Sequence, residues 1–151
     1  MPKEMEYEEL VVGEDLGVRE LVPPVGLNVR YLNAIEDENP WYWVDSPFGG
    51  PVVHHSAIDG YTMTLAGEKH PWPRGFVHAR QVTEFINPAR VGKRLLIRAR
   101  IADKFIKRGR GYVVIEETVQ EEGGLEIMRI RMEGMIDDER IREAKKRRGG
   151  S

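Results

Sequence analysis

Residues 35–60 read IEDENPWYWVDSPFGGPVVHHSAIDG, and this stretch decides the fold that the sequence predicts. It holds several carboxylates, three clustered aromatic residues, a Gly-Gly-Pro turn and two adjacent histidines, His54 and His55. The residues before it have the spacing of a short helix, and the residues well beyond it alternate between apolar and polar as strands do. The residues that carry the chemical function are therefore expected in this stretch, and the remainder of the chain is predicted to be scaffold.

Two helices are predicted on either side of an aromatic loop. Apolar residues recur at helical spacing over residues 27–36, and Pro40 ends this helix because a proline disfavours helical backbone in the residue before it. Residues 51–66 are apolar on most sides, which is typical of a buried helix, and Gly67 is predicted as its C-terminal cap. The aromatic loop at 41–50 is expected to pack against or cover something. The apolar residues that set the first helical spacing are Val25, Val29, Leu32 and Ile35.

Strand-like runs fill most of the second half of the chain. The last three are long and are joined by short turns that contain glycine, which indicates an antiparallel meander. A mostly apolar helix must be buried, and the apolar face of this sheet is its only large partner. The sequence therefore predicts an α+β fold in which an antiparallel sheet wraps around one central helix. The strand candidates are residues 76–86, 95–105, 111–120 and 125–136, with weaker candidates at 16–22 and 7–12.

Composition narrows the functional classes. The chain of 151 residues predicts one domain, and the absence of cysteine excludes disulfides and thiolate catalysis. The histidines lack the spacing of a metal site, so neither a metal nor a cofactor is expected. No signal peptide and no run of about 18 apolar residues is present, so we expect a cytoplasmic protein without a membrane span. A net charge of −2 does not favour general binding to nucleic acid.

Charge is distributed unevenly between the two ends. The first twenty residues carry seven acidic and two basic side chains, whereas residues 138–148 carry six basic and three acidic ones. We predict a domain over residues 1–137 and a basic, flexible tail over residues 138–151. Contact of this tail with nucleic acid or anionic lipid is the least favoured functional hypothesis.

Two motifs in the opening stretch resemble those of a known family. Residues 37–42 read DENPWY and residues 50–55 read GPVVHH. They resemble the Gly-Asp-x-Asn-Pro-x-His and Gly-x-Ile-Ala-His-Gly motifs of the MaoC-like dehydratase branch of the hot-dog fold. The Gly-Gly-Pro turn and the sequence FVHARQ at 76–81 are similar to a sub-branch, the dehydratase-like N-terminal domains related to fatty-acid synthases. The resemblance spans roughly residues 10–136, with Glu36 in place of a glycine and Tyr42 in place of the catalytic histidine.

The resemblance implies a hydro-lyase that acts on enoyl or β-hydroxyacyl thioesters of coenzyme A or acyl carrier protein. In the family an aspartate, matched by Asp37, and a histidine hold one water molecule between them. Tyr42 stands at the position of that histidine, and a phenol with a pKa near 10 serves poorly as a base. Backbone N–H groups near His55 and Ser56 would stabilise negative charge on the thioester oxygen.

Three hypotheses for the function remain open. The chain is a subunit without the full catalytic pair that forms a heterodimer with a catalytic hot-dog partner, or a self-sufficient homodimeric hydratase that uses Asp37 with His54 or His55, or a non-catalytic module that binds acyl thioesters. Structural roles are the alternative, because Asp37 can cap the Asn-Pro turn and the aromatic residues can form core or a lid. The candidate catalytic residues are Asp37, Tyr42, His54 and His55, and the candidate substrate-binding residues are Asn39, Trp41, Trp43, Gly50 and Ser56.

Overall fold

The computed structural model describes residues 3–149, apart from the side chains of residues 60–62 and 64. Within this part of the chain, five antiparallel strands form one sheet in the order β1-β3-β4-β5-β2. The strands are β1 (Asp15–Leu21), β2 (Val77–Phe85), β3 (Leu95–Lys107), β4 (Arg110–Glu121) and β5 (Glu126–Asp137). The helices are α1 (Val25–Ile35), α2 (Pro40–Trp43), α3 (His55–Lys69) and α4 (Glu139–Gly149). This architecture confirms the predicted α+β fold.

The core lies between the concave face of the sheet and α3, which packs on β1 and β3. Alternate residues of the long strands point to this face because successive side chains of a strand point to opposite sides. Burial of each large aliphatic side chain here contributes about 1.5–3 kcal/mol. Fully buried core residues include Ile58 on α3 and, on the sheet, Ile97, Ile101, Val113, Ile115, Met128 and Met132.

Two tight hairpins connect β3, β4 and β5, as the sequence predicts. Arg108 and Gly109 both have positive φ, 52° and 71°, which is the backbone of a turn whose twist matches the flanking strands. The second hairpin turns at Gly123 and Gly124, with φ of 104° and 99°. The N–H of Glu121 donates to the carbonyl of Leu125 at 2.7 Å and closes the turn. The register of the meander is fixed by these turns.

The central helix is displaced from the predicted range of 51–66. It begins at His55 because the residues before it are extended, and Val52 pairs with Arg90 in an isolated β-bridge. It also continues past Gly67, so the prediction of Gly67 as a C-terminal cap is wrong. A Cβ atom at Gly67 would lie 2.7 Å from the indole nitrogen of Trp72, so glycine is needed here for close packing and not for a turn.

Two shorter segments also differ from the predictions. The loop predicted at 41–50 opens with the four-residue helix α2, which Asn39 caps. A 3-10 helix, Tyr7–Glu9, stands where a candidate edge strand was predicted over residues 7–12. β1 is confirmed and pairs with β3, so that edge of the sheet is formed by residues 15–21.

The basic C-terminal residues form a helix, α4, where the sequence predicts a flexible tail. Ile141 is buried at the base of α4, against the backbone of Gly75. Lys145 lies 3.9 Å from the carboxylate of Glu6. Arg148 lies 3.4 Å from the carboxylate of Glu4. Exposed ion pairs of this kind contribute little to stability, so Ile141 is the main anchor of α4.

Candidate active site

One face of α1 forms a wall of the candidate site, and it matches the predicted apolar stripe only in part. Asn28 is 2% exposed and Leu32 lies buried one helical turn later. Val25, which belongs to the predicted apolar stripe, is 63% exposed, and Ile35 is also exposed. The predicted stripe is therefore wrong at both ends, and a polar residue occupies a buried position.

The C-terminal end of α1 places Asp37. Glu36 adopts a left-handed conformation, with φ of 56°, and the next N–H, that of Asp37, donates to the carbonyl of Leu32 at 3.0 Å. Oδ1 of Asp37 accepts the N–H of Asn39 at 2.9 Å. Asp37 therefore has the structural role in the Asn-Pro turn that the sequence offered as an alternative. Its other oxygen, Oδ2, lies 3.9 Å from Nε2 of His54.

The short helix α2 places Tyr42. Oδ1 of Asn39 accepts the N–H of Trp41 at 3.1 Å and caps this helix. The indole N–H of Trp43 donates to the carbonyl of Asp37 at 2.8 Å. Asn39 and Trp43, predicted to bind substrate, thus hold the turn together. The ring of Tyr42 lies beside His54, with 5.1 Å between the ring centroids.

His54 lies at the centre of the candidate site and contacts Asp37, Tyr42 and His55. Its Nδ1 accepts the N–H of Ser56 at 3.3 Å, so the neutral ring carries its proton on Nε2, the nitrogen nearest Asp37. His54 is 9% exposed, and its ring stacks on His55 at 4.4 Å between centroids. Tyr31 covers it from α1 at 5.0 Å. His54 is therefore placed as a hydrogen-bond donor toward Asp37.

The surroundings of His54 and Tyr42 keep both side chains neutral. Burial lowers the pKa of His54 below its ordinary value of 6.5; the neighbouring His55 lowers it further, and the carboxylate of Asp37 acts in the opposite direction. Burial raises the pKa of Tyr42, and the charge of Asp37 adds to this effect. Near neutral pH, Tyr42 is a phenol rather than a base, as the sequence predicts.

An apolar cavity of about 310 Å³ opens next to this cluster. Trp41 and Phe48 pack edge to face at its wall, 5.8 Å between centroids, and His55 lies 4.5 Å from the ring of Phe85. Tyr42 lines the cavity and its ring also contacts that of His54, whereas neither Asp37 nor His54 is among the lining residues. The side chains that line the cavity include Trp41, Tyr42, Phe48, His55, Phe85 and Met128.

Two residues predicted to bind substrate, Gly50 and Ser56, have backbone N–H groups that are already engaged within the chain. The N–H of Gly50 donates to Oδ1 of Asp45 at 3.0 Å, and its carbonyl accepts the hydroxyl of Ser46 at 2.6 Å. The N–H of Ser56 is bonded to His54. The structure therefore places Gly50 in the loop architecture and Ser56 in the orientation of His54, while Trp41, Tyr42 and His55 line the cavity.

Sequence reasoning missed Asn28 and Tyr31 on α1, and it missed Phe85. Asn28 was detectable as a polar residue within an apolar helical stripe. Phe85 was detectable only as the last residue of a strand that ends at an Asn-Pro pair. In the described residues, no cluster of three or more His, Asp or Glu side chains is arranged to hold a metal ion. The described helices are all too short or too polar to cross a membrane.

Comparison with known proteins shows the hot-dog fold. The unliganded R-hydratase PhaJ1 from Pseudomonas aeruginosa superposes with a TM-score of 0.74 at 18% identity, over 91% of this chain and 89% of that one. A MaoC-like dehydratase from Rhodospirillum rubrum gives 0.72 at 18% identity, over 85% and 94% of the two chains. The ChsH1-ChsH2 complex from Mycobacterium tuberculosis gives 0.67 at 11% identity, over 84% and 98%. No protein-family model and no curated protein matches the chain.

These similarities confirm the predicted resemblance at the level of the fold. The MaoC-like dehydratases and R-hydratases share the arrangement of a sheet around a central helix that this chain has. Identities of this size carry no residue roles from one protein to another.

Proposed function

We propose that the chain is a subunit of a hydratase or dehydratase for acyl thioesters of coenzyme A or acyl carrier protein. In this proposal it binds the acyl group of an enoyl or β-hydroxyacyl thioester, and a catalytic hot-dog partner supplies the chemistry. The observation that carries the proposal is the position of Tyr42. Tyr42 lines the apolar cavity and contacts His54, while neither Asp37 nor His54 lines it, so a ligand in that cavity meets Tyr42 rather than this pair.

The cavity suits an acyl chain. An apolar cavity of about 150 Å³ is large enough for benzene, so 310 Å³ offers room for an acyl group of several carbons. Phe48 and Phe85 give it aromatic walls, and His55 is its one imidazole. Sites of this kind, mostly apolar with few polar groups, are typical of small-molecule binding.

One of the two edges of the sheet favours a partner subunit. Among the described residues β2 is the edge strand opposite β1, and an edge strand offers unpaired backbone groups to another chain. Val82 and Phe85 on β2 are both about half exposed. Phe85 belongs to the edge strand and also lines the cavity, so a subunit placed on β2 would close the cavity. The ChsH1-ChsH2 complex is an example of a hot-dog assembly with two different components.

A second candidate, the self-sufficient homodimer, is favoured by the separation of 3.9 Å between Asp37 and His54. A water molecule with hydrogen bonds of about 2.8 Å to both atoms can span this gap. Asp37 would take a proton from this water as the water oxygen bonds to the β-carbon, and the protonated Asp37 would then give that proton to the α-carbon, while the N–H of His54 orients the water. This candidate requires substrate to reach a pair that does not line the apolar cavity.

One experiment separates these proposals. The purified chain is given a short and a long enoyl-coenzyme A, hydration is followed by the loss of conjugated-thioester absorbance, and binding is measured by calorimetry. Saturable binding without turnover supports the partner-dependent subunit. Turnover that is lost in Asp37→Asn and in His54→Asn, and kept in the neighbouring control Glu38→Gln, supports the homodimer. Absence of both binding and turnover rejects both proposals. The cytoplasmic location stays a prediction from the sequence.

A further inference from the structure

Asn28 is a buried polar residue that the proposed function does not use. It lies on α1, is 2% exposed, and its amide reaches three backbone groups. Nδ2 donates to the carbonyl of Val52 at 3.0 Å and to the carbonyl of Tyr42 at 3.2 Å. Oδ1 accepts the N–H of His54 at 2.9 Å. One side chain thus joins α1, α2 and the segment that leads into α3.

These bonds act where regular structure supplies none. His54 is the N-cap residue of α3, so its N–H has no partner within that helix. Loss of the Asn28 amide would leave buried backbone groups without partners, which costs more than the loss of one exposed hydrogen bond. The two residues held by the amide, Tyr42 and His54, are the two whose rings contact each other.

We infer that Asn28 is the positioning residue of the site, and that its amide holds His54 and Tyr42 in their observed arrangement beside Asp37. Tyr31, one turn further along α1, also contacts the His54 ring, with 5.0 Å between the ring centroids. α1 therefore fixes both the backbone and the ring of His54, while Ser56 fixes the tautomer. The inference does not depend on the proposed function, because it concerns the geometry of the cluster with or without a substrate.

Amide hydrogen exchange of the wild-type chain tests the first step. If Oδ1 of Asn28 holds the N–H of His54, that amide exchanges at least about a hundredfold more slowly than an unstructured one, although it lies outside the bonds of α3. The side-chain NH₂ of Asn28 is slowed in the same way. A His54 amide that exchanges as fast as an unstructured one overturns the inference without any variant being made.

Two variants test the second step, with the pKa of His54 measured by NMR as the readout. In Asn28→Leu all three bonds are lost, Tyr42 is released, and the pKa of His54 rises toward its ordinary value as its ring becomes solvated. Asn28→Asp keeps the acceptor for His54 but replaces the donor toward Tyr42, so contacts between the two rings weaken while the His54 amide stays protected. The groups that face the His54 ring are Asp37, Tyr31, Tyr42 and His55.

The control is Asn33→Leu, the same change at an exposed position of the same helix, which leaves the pKa of His54 unchanged. A purely structural Asn28 would lower the melting temperature without moving this pKa in the folded state. If His54 titrates as in the wild type in a folded Asn28→Leu, and its contact with Tyr42 persists in Asn28→Asp, the inference is wrong. If Asn28→Leu does not fold, the contact between the two rings in Asn28→Asp and the amide exchange of the wild-type chain still test the inference.

Discussion

Nε2 of His54 lies 3.9 Å from Oδ2 of Asp37, which is too long for a direct hydrogen bond and short enough for an electrostatic interaction. The two residues come from different motifs of the opening stretch. They lie close together in space because the C-terminal end of α1 is near the N-terminal end of α3. Their separation couples the charge of Asp37 to the protonation of His54. Two polar atoms at this distance can both form a hydrogen bond to one water molecule.

Removal of the charge of Asp37 should lower the pKa of His54 further. The carboxylate favours the protonated imidazole and opposes the effects of burial and of His55. In Asp37→Asn only this favourable interaction is lost, so His54 should titrate at a lower pH than in the wild type. NMR titration of the imidazole measures the change. Glu38→Gln, at an exposed neighbouring position, is the control, and an equal shift there would contradict the assignment to Asp37.

The stability of the chain should decrease as the pH decreases, and part of this decrease should depend on His54. Its folded pKa lies below the unfolded value of 6.5, so between the two values the unfolded state binds more protons. The free energy of unfolding therefore falls as the pH decreases from above 6.5 through the folded pKa. His54→Asn, which keeps a side chain suited to the N-cap, should reduce this dependence. Chemical denaturation at several pH values checks it, and His78→Asn, on an exposed strand position, should retain the wild-type slope.

Glu36→Gly should stabilise the fold. Glu36 has φ of 56°, a left-handed conformation that costs a residue with a side chain about 1–2 kcal/mol. Glycine adopts it freely but adds about 0.5–1 kcal/mol of chain entropy to the cost of folding, so the expected net gain is about 0.5–1 kcal/mol. Urea denaturation measures it. Glu38→Gly, where φ is not positive, should give a loss, and a loss at both positions would show that Glu36 is not strained.

The fold was predictable from the sequence because its signals are local. Alternation along the strands, glycine at the hairpin turns and an apolar central helix each have a direct physical cause. Gly67 shows the limit of such signals. A glycine near the end of a predicted helix indicates a cap, but here Trp72, five residues further along the chain, requires it instead. A contact of this kind becomes visible only in three dimensions.

The candidate site was predictable in part. Asp37, Tyr42 and His54 were found because their motifs resemble those of a family, and the structure brings these three residues together. Their exact roles stay predictions. Asn28 was missed because its three partners lie 14 to 26 residues away along the chain, beyond any local periodicity. α4 was missed because its sequence is highly charged and its one buried anchor, Ile141, is a single residue.

Ile141→Ala should destabilise the whole domain. Ile141 is buried against Gly75, and truncation of a buried isoleucine to alanine typically costs 2–5 kcal/mol, so we expect a loss of about 2 kcal/mol or more. Thermal and chemical denaturation measure it. Lys146→Ala, on the exposed side of α4, should stay within about 0.5 kcal/mol of the wild type. Equal stability of both variants would mean that α4 does not contribute to the fold.

Phe85→Ala should weaken the binding of an acyl thioester with little effect on stability. Phe85 is 49% exposed, so its truncation leaves no core cavity, but it removes one aromatic wall and the partner of the His55 ring. Loss of an aromatic contact worth about 0.5–1.5 kcal/mol corresponds to a dissociation constant raised about twofold to thirteenfold. Calorimetry with an acyl-coenzyme A measures it. Val82→Ala, also half exposed on β2 but outside the cavity, is the matched control. Binding that is unchanged in Phe85→Ala would place the acyl group elsewhere on the chain, whereas equal losses in both variants would indicate an effect of the β2 edge rather than of the cavity.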